Sequence, residues 1–179
     1  EIILTKKSEV DNIEERGFNV QSIPTAQYKS LTLDISQVLD GSSGVRIRRT
    51  GGLGSDFSFS LNGLTDNQIR FFIDEIPIDY LGAGYKINNL PVNLIDRIDI
   101  YKGTVPVKLG TDALGGAVNL VSKQRPKSYI DGSYGLGSLG THRIALNTQY
   151  RSEKSGFTTR LKYFYNVSNN NYIMKNQEV

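Results

Sequence analysis

At 179 residues with 38% hydrophobic content, the chain is long enough for one ordinary domain with a core, which excludes a wholly disordered segment. Zero cysteines remove disulfides, thiolate catalysis and cysteine-ligated metals together. The net charge is +3 with Lys and Arg spread along the chain, so charge gives no reason to expect a nucleic-acid partner.

Eighteen glycines, ten tyrosines and no tryptophan lean toward strands and turns. No apolar run approaches the roughly 18 to 20 residues of a spanning helix, so a membrane role would have to be built from strands. No basic n-region with an apolar h-region opens the chain, and any secretion signal is expected to lie outside it.

Residues 1–5 (EIILT), followed by Lys6 and Lys7, read as an exposed extended segment. Residues 17–23 (GFNVQSI) alternate as a strand ended by Pro24, and 31–39 carry Leu31, Ile35, Val38 and Leu39 at the spacing of a short amphipathic helix. Strands are predicted at 45–49 (VRIRR), 57–61 (FSFSL) and 69–73 (IRFFI), with Asn62-Gly63 as a turn. The basic cluster of Arg46, Arg48 and Arg49 is read as solvated or locally paired. Residues 50–56 (TGGLGSD) and 79–86 (DYLGAGYK) are glycine-containing loops, and 91–95 form one helical turn. Two further strands, 97–102 and 117–121, flank a segment with Gly103, Gly110, Gly115 and Gly116, where small residues permit tight turns or close backbone approach.

After Pro126 the pattern changes. Residues 128–136, 142–151 and 157–167 form a meander of strands with very short turns. In the second, His142, Ile144, Leu146, Thr148 and Tyr150 share one face, while Arg143, Ala145, Asn147, Gln149 and Arg151 share the other. The third repeats this with Leu161, Tyr163 and Tyr165 against Arg160, Lys162 and Asn166. Such strands match an outer-membrane barrel wall, or a soluble antiparallel sheet with one wet face. Three strands cannot close in lipid, so the barrel reading expects a fragment whose later strands complete the wall.

The residues VRI at 45–47, TGG at 50–52, FFIDEIP at 71–77, LIDRIDIYKG at 94–103 and LGTDALGGAVNLV at 109–121 together resemble, in this order and spacing, the plug of TonB-dependent outer-membrane receptors. Residues 1–5 resemble the family's TonB box, in the form that precedes plugs of Bacteroidetes-type receptors. The chain departs from the family pattern at Glu75, where glycine is usual, at Asn62-Gly63, where an arginine-glycine pair is usual, and at Thr104, where proline often stands.

The resemblance implies an α+β plug domain, a small mixed sheet with short helices, followed by the first three antiparallel strands of a transmembrane β-barrel. The division it implies is 1–16 as the N-terminal segment and linker, 17–125 as plug and 126–179 as barrel strands. It implies import of a scarce nutrient (siderophore, cobalamin, haem, glycan or peptide) through a barrel of about 22 strands in the cell outer membrane, with the N-terminus in the periplasm. TonB would capture Glu1, Ile2, Ile3, Leu4 and Thr5 as an added strand. Ligand contacts would fall in the outward loops, at Leu53, Ser55, Asp56, Tyr80, Leu81 and Tyr85. The implied partners are TonB, the rest of the barrel, membrane lipid and, by analogy, a surface lipoprotein.

No enzyme, cofactor, metal site or catalytic residue is expected. The sole histidine, His142, begins a strand beside a turn, which gives a triad or multi-histidine metal site little to build on. Asp74, Glu75 and Asp79 straddle Pro77 and read as turn residues rather than paired catalytic carboxylates. The 110–116 loop (GTDALGG) lacks the lysine and hydroxyl of a P-loop. The competing reading is a soluble β-rich binding module or a signalling receptor homologue, and the downstream sequence separates it from an importer.

Overall fold

The computed structural model describes residues 19–28, 33–52, 55–65, 68–81, 87–110, 115–122 and 127–169. A mixed five-stranded sheet lies at its centre. β1 (Val20–Pro24), β2 (Val45–Arg49), β3 (Phe57–Leu61), β4 (Leu64–Thr65), β5 (Ile69–Ile73), β6 (Ile76–Pro77), β7 (Ile95–Lys102) and β8 (Gly116–Ser122) precede the pattern change. The central order is β1-β7-β8-β5-β6, with β5 and β8 parallel and the other pairs antiparallel. β8 is buried at six of its seven positions, in keeping with its mostly apolar sequence; its polar members, Asn119 and Ser122, are buried on hydrogen bonds to the Asp74-Glu75 turn. Ile98, Ile100, Val118 and Leu120 are fully enclosed at the heart of the core.

Close approach fixes two glycines. Gly116 sits at φ 135°, and a Cβ there would lie 2.4 Å from the Tyr101 carbonyl oxygen. This explains the glycine that opens β8, whose backbone is packed against β7; Gly115 before it is held small by the Gln68 carbonyl, which a Cβ would meet at 2.8 Å.

The predicted 31–39 helix begins later. α1 (Ile35–Asp40) is preceded by Asp34, whose Oδ1 accepts from the Gln37 amide at 2.9 Å, while the Gln37 side-chain oxygen accepts from the Asp34 amide at 2.9 Å. This reciprocal capping box holds the first turn at Ile35, and Ile35, Val38 and Leu39 turn inward at helical spacing. Leu31 lies outside the described residues. β2, β3 and the unpredicted β4 form a separate antiparallel sheet, so the single small sheet expected is two. The 79–86 loop begins as a 3-10 turn, Ile78–Leu81.

β5 and β6 are joined by Asp74 and Glu75, both at positive φ (50° and 70°), the geometry of a two-residue hairpin turn. Neither is glycine, so neighbours hold the turn. The Ser122 amide donates to Asp74 Oδ1 at 2.7 Å, and the Glu75 amide donates to Asn119 Oδ1 at 3.1 Å. Lys108 pairs with the Glu75 carboxylate and Arg70 with Asp79, the latter at 2.8 Å. The three carboxylates are thus taken up by backbone and ion-pair contacts.

β9 (Tyr129–Gly137), β10 (Thr141–Arg151) and β11 (Thr158–Val167) form an antiparallel meander of order β11-β10-β9, with Ala145 opposite both Ser133 and Phe164. Its faces are inverted relative to a soluble sheet. Ile130 is 80% exposed and Leu161 59%, whereas Asn147 is 2% exposed. The polar face lies against the preceding part of the chain. Asn166 Nδ2 donates to the Asn89 carbonyl at 2.6 Å, Asn93 bonds the Ser133 hydroxyl, and Phe164 packs against the core. Carboxamide atoms gather in this seam: Asn89 Oδ1, Asn147 Nδ2 and Asn166 Oδ1 are buried with no partner among the described residues, the signature of a seam that takes up water.

Candidate functional site

A polar cleft of about 250 Å³ opens where α1, the end of β2 and the start of β10 meet. The capping box places Asp34 at its wall. β2 delivers Arg49 at its last position, and β10 delivers Arg143 from its inward face, next to the outward Ile144. Arg49 Nη2 lies 3.6 Å from Asp34 Oδ1 and Arg143 Nη2 lies 3.5 Å from Asp34 Oδ2. Ser36 links them further, donating to Asp34 Oδ1 at 2.5 Å and accepting from Arg49 Nη2 at 2.8 Å. Two guanidinium groups face one carboxylate, which leaves the cleft with a net positive charge.

The loop after β2 borders the same cleft through Gly51 and Gly52. Its base is closed by the Thr50 amide and hydroxyl, which both donate to the Asp56 carbonyl, at 3.1 and 2.7 Å. Asn88, also in the lining, donates from Nδ2 to the Ser55 carbonyl at 2.7 Å. That bond fixes the orientation of the amide and leaves its buried Oδ1 without a donor among the described residues.

Ser55 and Asp56 therefore sit at the base of a loop on the cleft's rim, although neither lines it. Tyr80, 81% exposed, and Leu81 are on the Ile78–Leu81 turn, and the structure does not bring them to the cleft. Leu53, Tyr85 and the Glu1 to Thr5 segment lie outside the described residues. Sequence reading missed Asp34, Asn88 and Arg143. The Asp34-x-x-Gln37 capping pattern and the inward phase of Arg143 on its strand carried part of that signal. His142 stands at the start of β10 as expected, with its Nδ1 2.7 Å from the Tyr134 hydroxyl on the outward face. No group of three or more His, Cys, Asp or Glu suited to a metal occurs among the described residues.

The chain is 32% identical over 108 residues, 60% of its length, to the vitamin B12 transporter BtuB of Vibrio vulnificus (strain CMCP6). It is 29% identical over 128 residues, 70% of its length, to that of Vibrio cholerae. It spans 17% and 20% of those relatives. Its fold is similar to the pyoverdine outer membrane receptor FpvA from Pseudomonas aeruginosa PAO1, with a TM-score of 0.64 at 20% identity over 84% of this chain and 22% of that one. It is also similar to the alcaligin outer membrane receptor FauA from Bordetella pertussis, with a TM-score of 0.62 at 20% identity over 87% of this chain and 27% of that one. Residues 12–117 match the family described as the TonB-dependent Receptor Plug Domain, so the chain belongs to the TonB-dependent receptors and its place is the outer membrane.

Proposed function

We propose that this chain is the occluding plug and the first three wall strands of an importer that moves a scarce nutrient across the outer membrane, with Glu1 to Thr5 as the strand that TonB captures. The observation that carries the reading is the inverted sheet: the apolar faces of β9, β10 and β11 point away from the protein, and their polar faces rest on the plug. Water is a poor solvent for the outward face, and lipid is a good one. His142 to Tyr150 is nine residues and eight rises, about 27 Å along the strand and roughly 20 Å once tilted, close to the height of a barrel's apolar band. Tyr134 and Tyr165 toward one end, with Tyr150 at the other, fit headgroup-level aromatic girdles.

The structural likeness to FpvA and FauA extends over more of the chain than the plug match alone, which supports a shared placement of these strands. The relatives are named as transporters and receptors, in keeping with import rather than catalysis. Siderophore, cobalamin, haem, glycan and peptide remain the cargo classes of this proposal.

The test is capture of the full-length receptor by the C-terminal domain of TonB. Ile3→Pro removes a strand donor and should abolish capture and energised uptake while leaving receptor levels in the outer membrane unchanged. Capture of the variant at wild-type strength would remove the coupling role of this segment.

A further inference from the structure

We propose that the cleft at Asp34, Arg49 and Arg143 receives an anionic oxygen group, carboxylate or phosphate, carried by the imported solute, and that this group competes with Asp34 for the Arg143 guanidinium. The inference rests on the import reading and assigns a chemistry to its cargo.

Three observations converge on it. First, Asp34 meets the guanidinium groups at 3.5 and 3.6 Å, longer than the roughly 2.7–2.9 Å of a charge-assisted hydrogen bond. Its Oδ1 is already committed to the Ser36 hydroxyl and the Gln37 amide. A solute anion can therefore displace Asp34 from Arg143 without undoing the helix cap. Second, Asn88 Oδ1 presents a buried acceptor without a donor among the described residues in the same cleft, so the solute should carry a hydroxyl or amide N–H beside its anionic group. Third, no aromatic ring lines the cleft among the described residues, so a neutral sugar has no platform to stack on.

The position of Arg143 gives the exchange a mechanical meaning. It reaches from β10 to the cap of α1 and so ties wall to plug. A solute that takes over this guanidinium removes one such tie as it binds. A membrane lipid is disfavoured as the source of the anion, because Arg143 is on the inward face of its strand.

The experiment is calorimetric titration of the purified full-length receptor with citrate and with inorganic phosphate, using glucose as the neutral control. At least one anion should bind and glucose should not, and Arg49→Gln and Arg143→Gln should each weaken binding by about tenfold or more. Asp34→Asn keeps a good capping oxygen but removes the competing charge, so it should tighten binding by about tenfold, an effect that a merely structural Asp34 would not give. Failure of both anions to bind the wild type, unchanged affinity in the arginine variants, or no tightening in Asp34→Asn would overturn the proposal. The TonB capture assay separates the two readings: capture that persists while the anions fail withdraws the cleft alone, and lost anion binding has no bearing on capture.

Discussion

Lys162, midway along β11, donates to the hydroxyl of Ser122 at the end of β8, and that hydroxyl donates in turn to the Asp74 carboxylate. The relay runs from the three-stranded meander, through the last strand of the central sheet, to the positive-φ turn between β5 and β6. Its middle member is 1% exposed, so the cation and the carboxylate are joined away from bulk water.

Lys162→Met should therefore weaken the attachment of the meander to the central sheet by about 1–3 kcal/mol, because Asp74 loses the cation linked to it through Ser122 while keeping its bonds from Ser122. Urea titration of the full-length receptor, with proteolysis of the plug as the readout, measures this. A shift below roughly 0.5 kcal/mol would show that the relay does not tie the two parts.

Glu75→Gly should stabilise the chain. At φ 70° a residue with a Cβ is strained by about 1–2 kcal/mol, and the exposed pair with Lys108 returns less than about 1 kcal/mol. Hydrogen exchange at the amides of β5 and β6 should slow several-fold, and unchanged or faster exchange would mean that the Lys108 contact outweighs the strain.

Leu146→Lys distinguishes the two environments of the outward face. On a wet sheet the change is worth within about 0.5 kcal/mol, but near the middle of a lipid-facing strand it costs about 2–4 kcal/mol. Folding of the full-length receptor into phospholipid vesicles reads the difference. Asn147→Leu, one residue along on the inward face, removes a polar contact to Tyr129 and should act on plug seating instead of membrane insertion.

Most strands were legible in the sequence because their signals were local. The alternation in β10 and β11, the Asn62-Gly63 turn and the bulky run of β5 each determine a conformation within a few residues. The apolar phase of β10 was also legible, but the direction in which that phase points is a tertiary fact, decided by what lies against it. The cleft was hidden for the same reason. Asp34, Asn88 and Arg143 are far apart in the chain, and their meeting depends on how β10 lies across the cap of α1. Tyr80 was selected because it lies in a loop, yet loop membership does not say which neighbours a loop meets.

The seam of carboxamides beneath the β9–β11 meander has a calorimetric consequence. Parting two surfaces rich in Asn and Gln hydrates amide groups, which lowers heat capacity, whereas parting leucine-lined surfaces raises it. With Phe164 and Ala145 the apolar aliphatic and phenyl side chains of the meander's inner face, separation of the meander from the rest of the chain should be nearly silent in heat capacity, unlike melting of the core around the central sheet. A scan that resolves two events of such different curvature would distinguish unseating from unfolding.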